Sequence, residues 1–357
     1  MGINTTTYAS AKHTLNRILD RFLGSHTRQT IHCVVDSPNW VQSRRLRHLS
    51  QHFSNLKFIH LTTTEFRSLW NRGTLNGKPI YFGTWRIIRE LAEKDSFYFR
   101  PEDYKNFMVS VTSHQDIGGG LNTDTSIPAG INPDKALKSA VYWIQKSHIV
   151  TVNSRILYNL LSPHISSLIY TPNGVDENFF RPPASQNYLP DKIKIGWVGK
   201  IRAAKNFETA KLAFSKLETY GFSTNSIAIP KSQKKILSTK AMRSFYHNID
   251  YYLCTSWHDG TPNPALEAAS CGVPVVSTKV GNMPDLIIHG ENGFFVQPNS
   301  DSIVTTFREI RELNTNEYSK LSQNIRRSID NNWTLRKNIP KYQPAFDQLL
   351  GNNTTKT

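Results

Sequence analysis

Apolar and polar positions along the chain fall into two recurring patterns. Short runs dense in branched and aromatic residues, TIHCVVD, LKFIHLTT, NFMVSVTSH and HIVTVNS, predict buried strands, the third reaching to His114. Between them, VQSRRLRHLSQHF, ALKSAVYWIQKS and SRILYNLLSPH carry the three-to-four spacing of amphipathic helices. The residues from LKFIHLTT to NFMVSVTSH read as less regular, and SSLIYTPNGVD as a strand and turn. Near the start, AKHTLNRILDRFLG puts Leu15, Ile18, Leu19, Phe22 and Leu23 on one helical face, which either packs on its own domain or lies on a membrane surface.

The proline-rich, polar segment RPPASQNYLPD reads as an interdomain linker, after which the alternation restarts. IKIGWVG, NSIAI, YYLCTS, VVST and NGFFV predict strands; FETAKLAFSKLE, AMRSFYHN and DSIVTTFREIREL predict helices. The tail from Trp333 to Leu350 has the spacing of a last helix lying across a domain surface. Strands alternating with helices on both sides of a linker imply an α/β protein of two Rossmann-like domains facing across a cleft. The expected division is an extension over 1–28, a first domain over 29–180, a second over 181–335 and a crossover helix and tail over 336–357.

Composition narrows the class. A chain of 357 residues with 38% hydrophobic and 20% charged content can bury two cores, and no run approaches the ~18 apolar residues of a membrane span. The N-terminus does not read as a secretory signal. Cys33, Cys254 and Cys271 stand far apart, so neither a disulfide framework nor a zinc site is implied and a cytoplasmic setting is expected. The formal charge of +16 calls for an anionic partner. No recognition-helix, zinc-finger or RNA-binding signature accompanies it, which argues against specific nucleic-acid binding and for an anionic acceptor or membrane face.

The stretch HDGTPNPALEAASCGVPVVST carries the clearest chemistry. Asn263 and Pro264 predict a helix start with Asn263 as N-cap, Gly272 a left-handed C-terminal residue, and Pro274 a stop. Helix-start amides attract phosphate, and Gly260 permits close approach to the backbone. The flanking acids, Asp259 and Glu267, cannot pair with phosphate but accept hydrogen bonds from hydroxyls. A ligand bearing both groups, a nucleotide sugar, satisfies the whole set. The bland alternative is a capped helix with solvent-facing acids.

Four segments together resemble retaining glycosyltransferases of family 4, of the bacterial polysaccharide type, which have the two-domain GT-B fold. Asp259-x7-Glu267 is similar to the family's E-x7-E signature, with Asp for the first Glu. YTPNGVDENFFRP resembles its domain-linking segment, GWVGKIRAAKNFETAKLAF its Gly-Arg-x4-Lys-Gly strand and helix, and HGENGFFV its Gly-x-Asn-Gly strand. DSPNWVQSRRLRHLSQHF resembles, more loosely, the family's first strand–turn–helix and lacks the Gly-Gly pair common there.

The resemblance implies that Glu267 holds ribose hydroxyls, Asp259 contacts the donor hexose, and Lys205 neutralises the diphosphate. Lys200 stands where the family has Arg, with Arg202 placed to compensate. Gly199, Gly260, Thr261, Pro262 and Asn263 line the donor site, and His114 reaches the transferred sugar. Trp40 and Arg44 are acceptor-side candidates. The expected reaction is metal-independent transfer, with no cofactor beyond the nucleotide-diphosphate sugar, to a glycan or lipid-linked acceptor hydroxyl of a lipopolysaccharide or capsule pathway. The expected setting is the cytoplasm, with peripheral attachment to the inner membrane face. The alternatives are a GT-B phosphorylase or synthase acting on a small sugar, and a non-catalytic protein of the same fold that binds anionic lipid or RNA.

Overall fold

A computed structural model describes residues 28–35, 41–94, 97–114, 117, 132–184, 192–230, 232–233 and 237–351. The first domain is built on β1 (Gln29–Val35), β2 (Leu56–Thr62), β3 (Ile80–Phe82), β4 (Phe107–Val111), β5 (Ile149–Val152) and β6 (Leu168–Tyr170). All pair in parallel, in the order β2-β1-β3-β4-β5-β6. The helices between them are α1 (Val41–His52), α2 (Thr63–Asn71), α3 (Arg86–Lys94), α4 (Pro133–Ile144) and α5 (Arg155–Leu161). The stretch that reads as irregular in the sequence therefore holds α2, β3 and α3. Its strand is only three residues long and sits inside an aromatic core of Phe66, Phe82, Phe97, Phe99 and Phe107, where ring packing replaces the alternation that marks longer strands. The strand expected to reach His114 ends at Val111, which leaves His114 on the loop beyond it.

The second domain repeats the plan. β7 (Lys194–Lys200), β8 (Ser223–Ile229), β9 (Tyr251–Cys254), β10 (Val275–Ser277) and β11 (Gly293–Phe295) form a parallel sheet in the order β11-β10-β9-β7-β8. Around it lie α6 (Phe207–Thr219), α7 (Thr239–His247), α8 (Asn263–Ser270), α9 (Met283–Leu286), α10 (Ser300–Arg311) and the long α11 (Thr315–Asn332). In this sheet the order turns back at β7, so the loops after β7 and β9 leave its carboxyl edge side by side.

The single last helix expected over the tail is broken into α12 (Leu335–Asn338), a 3₁₀ turn (Ile339–Tyr342) and α13 (Gln343–Leu349). Pro340 and Pro344 sit at the starts of the last two pieces, where a missing N–H is tolerated and helix continuation is not. These pieces return to the first domain. Ile339, Tyr342, Phe346 and Leu349 complete the core on one face of its sheet with Ile31, Cys33, Leu46, Met108 and Ile149. The outgoing strand segment and the returning chain pair directly, Val175 N–H to Trp333 O at 2.8 Å and Leu335 N–H to Val175 O at 2.9 Å. At the crossing only a glycine fits: a Cβ on Gly174 would lie 2.7 Å from the Leu335 backbone.

Among the described residues no helix is long and apolar enough to cross a membrane. The segment before residue 28 read as an amphipathic helix, residues 36–40 with Trp40, and residues 185–191 of the segment read as a linker lie outside the described residues.

Candidate functional site

The loops at the carboxyl ends of β7 and β9 carry most of the candidate residues. After Gly199 and Lys200 the chain passes Arg202 and enters a 3₁₀ turn, Ala203–Lys205, then a left-handed residue, Asn206 at φ 51°. Asn is among the few non-glycine residues that adopt this conformation readily. The turn is anchored to the neighbouring strand. The Thr255 hydroxyl lies 3.0 Å from the carbonyl oxygens of both Lys205 and Asn206, and Trp257 N–H donates to Ala204 O at 2.9 Å. Lys205 is thereby aimed at Asp259, with which it forms a hydrogen-bonded ion pair. Burial alone lowers the lysine pKa, but the Asp259 carboxylate outweighs it and the net shift is upward.

The helix that follows starts one residue earlier than its sequence signals. Pro262 is the N-cap, with no side-chain capping bond, and Asn263 is the first helical residue. Asn263 does not cap because its carboxamide oxygen accepts instead from Asn173 Nδ2 at 3.0 Å, on the interdomain crossing. Gly272 is left-handed at φ 77°, as the sequence predicts. Pro262 and Pro264 carry no N–H, and Ala265 N–H turns back on Pro262 O at 2.9 Å. Among the described residues, the amides of Gly260, Thr261 and Asn263 have no backbone acceptor. That leaves three donors for an anion at the helix start.

One turn into α8, Glu267 is 5% exposed. It accepts from Tyr246 Oη at 2.9 Å and from Arg44 Nη2 at 3.3 Å. Burial raises its pKa; Arg44 and the Tyr246 bond oppose the rise. Arg44 comes from α1 of the opposite domain, so the acceptor-side candidate lies on a donor-side acid. Arg44, Arg45, Asn173, Asp176, Asn263 and Glu267 line part of a cavity of about 70 Å³ between the domains.

His114, on the loop after β4, lies beside Asp259 and His258 of the second domain and is 1% exposed. Burial lowers its pKa to about 4, neighbouring His258 adds to the fall, and Asp259 opposes it. The imidazole is therefore neutral at physiological pH. Asn153, after β5, donates from Nδ2 to Thr261 Oγ1 at 3.2 Å. Gly260 sits so close to the first domain that an added Cβ would lie 1.9 Å from Thr112 O. A further cross-domain pair joins Arg155 to Asp285 at 3.9 Å.

The structure thus brings together His114, Lys205, Asp259, Gly260, Thr261 and Arg44–Glu267, with Lys200 and Arg202 half-buried on the adjoining turn. Sequence reading missed Tyr246 and Asn153. Tyr246 carries no motif signal within AMRSFYHN. Asn153 stands at the end of a buried strand, the position from which a polar residue faces the cleft, and that signal was available.

Residues 228–328 match the family of glycosyl transferases group 1. A putative glycosyltransferase, ORF315, of Acidianus bottle-shaped virus is 28% identical over 130 residues, 33% of this chain and 41% of the viral protein. Curated relatives match over less than half of their own length. Among solved structures, a sucrose-phosphate synthase from Thermosynechococcus elongatus superposes with a TM-score of 0.69 at 15% identity, over 91% of this chain and all of that one. Anabaena Alr3699/HepE, solved in complex with UDP-glucose, gives 0.64 at 14% identity over 89% and 99%. These likenesses agree with the two parallel sheets in assigning the GT-B fold.

Proposed function

We propose that this chain, a GT-B glycosyltransferase by its fold and by the family match of its second domain, moves a sugar from a nucleotide-diphosphate donor to an acceptor hydroxyl with retention of configuration. The observation that carries the reading is convergence. A lysine–aspartate pair, three open helix-start amides and a neutral buried histidine meet at the carboxyl ends of both sheets.

In this reading the diphosphate lies over the start of α8, held by the amides of Gly260, Thr261 and Asn263 and by Lys205, Lys200 and Arg202. As the bond from anomeric carbon to phosphate breaks, negative charge grows on the leaving group, and these fixed donors stabilise it without a metal ion. Asp259 accepts from a hexose hydroxyl, and Glu267 from the ribose hydroxyls. His114, neutral and desolvated, hydrogen-bonds the transferred sugar and carries no charge toward an oxocarbenium-like centre. Retention follows from front-face attack, with the departing phosphate oxygen taking the acceptor proton. HepE's complex with UDP-glucose supports a nucleotide-sugar donor. The net charge of +16 supports an anionic acceptor such as a lipid-linked glycan at the inner membrane face.

The test is thermal stabilisation by UDP-, GDP-, ADP- and CMP-sugars, followed by transfer assays with the donor that binds. A shift with one nucleotide that is lost in Glu267→Ala supports the donor site and the ribose contact together. Transfer to a small soluble sugar alone keeps the donor chemistry and replaces the acceptor. No shift with any donor removes the proposal.

A further inference from the structure

The contact between Arg44 and Glu267 has the marks of a pair that exchanges. It is one long hydrogen bond at 3.3 Å rather than a bidentate fork, and the arginine side chain is 46% exposed. Among the described residues, Glu267 is the only hydrogen-bond acceptor that Arg44 has. Most of its five N–H donors are therefore open to another acceptor. The partner is held differently: Glu267 is buried and keeps a shorter bond to Tyr246 at 2.9 Å, within its own domain. The pair has one buried and one half-exposed member, so a ligand can replace it at small cost only if its own hydroxyls bond the buried carboxylate that Arg44 leaves.

The surroundings identify what would replace it. Glu267 lies four residues past Asn263, about 6 Å along the helix axis at 1.5 Å per residue. The open amides of Gly260, Thr261 and Asn263 are thus within the sweep of an arginine side chain anchored opposite Glu267. Arg44 is a first-domain side chain at the cleft, and guanidinium is well suited to phosphate.

We infer that Arg44 is a positioning residue that changes partners. Without a donor it holds Glu267; when ribose hydroxyls take the carboxylate, it turns to the diphosphate and links the first domain to the donor. This rests on the donor reading given above, and it makes domain closure depend on the phosphates. The nucleoside half of a donor gains only Glu267 and must displace Arg44. The diphosphate half returns a charge-assisted contact to the displaced arginine.

The experiment compares binding of UDP, GDP, ADP and CDP with that of the corresponding nucleosides, to wild type, Arg44→Ala and Arg44→Lys, by calorimetry or ligand-observed NMR. For the base that binds, Arg44→Ala is expected to weaken the diphosphate about tenfold, while the nucleoside binds as well as or better than to wild type. Arg44→Lys, which keeps charge but loses the fork, falls between. Equal weakening of nucleoside and diphosphate, or no change in either, overturns the exchange while leaving the donor site intact. An effect of Arg44→Ala confined to acceptor KM overturns it in favour of an acceptor contact. Failure of wild type to bind any of the four diphosphates removes the donor reading and this inference with it.

Discussion

Glu267 and His114 are two buried titratable groups whose burial has opposite consequences. Burial raises the Glu267 carboxyl above its ordinary 4.5, so the folded state holds this proton more tightly than the unfolded chain does. Stability from this group is full below the unfolded pKa and is lost as pH rises through the higher folded value. Ribose hydroxyls want the ionised form. Glu267→Gln is therefore expected to melt no lower than wild type at neutral pH, yet to bind donor about tenfold more weakly, as melting curves with and without nucleotide sugar would show. His114 runs the other way. Its pKa falls from 6.5 to about 4, so its stability contribution is present above 6.5 and is lost as pH drops toward 4. Between pH 7 and pH 5 wild type should lose about 2 kcal/mol on this account, by the linkage relation. Denaturant titrations at the two pH values should show that loss shrink in His114→Asn; an undiminished loss would place the titration elsewhere. Both residues were legible in the sequence only through a motif or a strand end. Their protonation behaviour depends on the opposite domain and was not.

At the scale of elements, α1, α4 to α7 and α10 were readable because one side-chain period runs through each. α2, α3 and the 18-residue α11 went unread, although in α11 Tyr318, Leu321, Ile325 and Ile329 carry that spacing. β3 and α9 are three and four residues long, too short to show a period, and are buried by their neighbours. The helix start at α8 shifted by one residue because a tertiary partner, Asn173, claimed the carboxamide expected to cap it. The loop before that helix supports a sharper expectation. A Cβ on Gly260 would meet Thr112 O at 1.9 Å, a backbone atom of the other domain that no rotamer can move. Gly260→Ala should therefore leave each sheet folded while holding the cleft ajar. Displacement of this order costs about 100-fold in turnover. The checking measurement is kcat beside circular dichroism. Native-like spectra with unchanged kcat would show that the domains need not approach this closely for reaction.

Across the whole molecule, the second domain's identity was readable from contiguous motifs, whereas its dependence on the first was not, since the tie is made by the chain's last elements. Phe346 in α13 is fully buried in the first domain's core and packs edge-on to Phe53 at 5.2 Å and Phe58 at 5.4 Å. Removing a buried phenylalanine side chain costs about 3–5 kcal/mol through lost burial and the cavity left behind. Because Phe346 belongs to the core shared by α1, β1, β4 and β5, the cost should fall there although the residue lies more than 280 positions from β2 and α1. Hydrogen exchange on Phe346→Ala is expected to quicken in β1, β5 and α1 and to stay near wild type in β9 and β10, whose cores are built from other residues. Arg44 is carried by α1, so the same variant should also weaken nucleotide-diphosphate binding more than nucleoside binding. Uniform acceleration through both sheets would mean instead that the two domains unfold as one cooperative unit, with the returning chain as the joint between them.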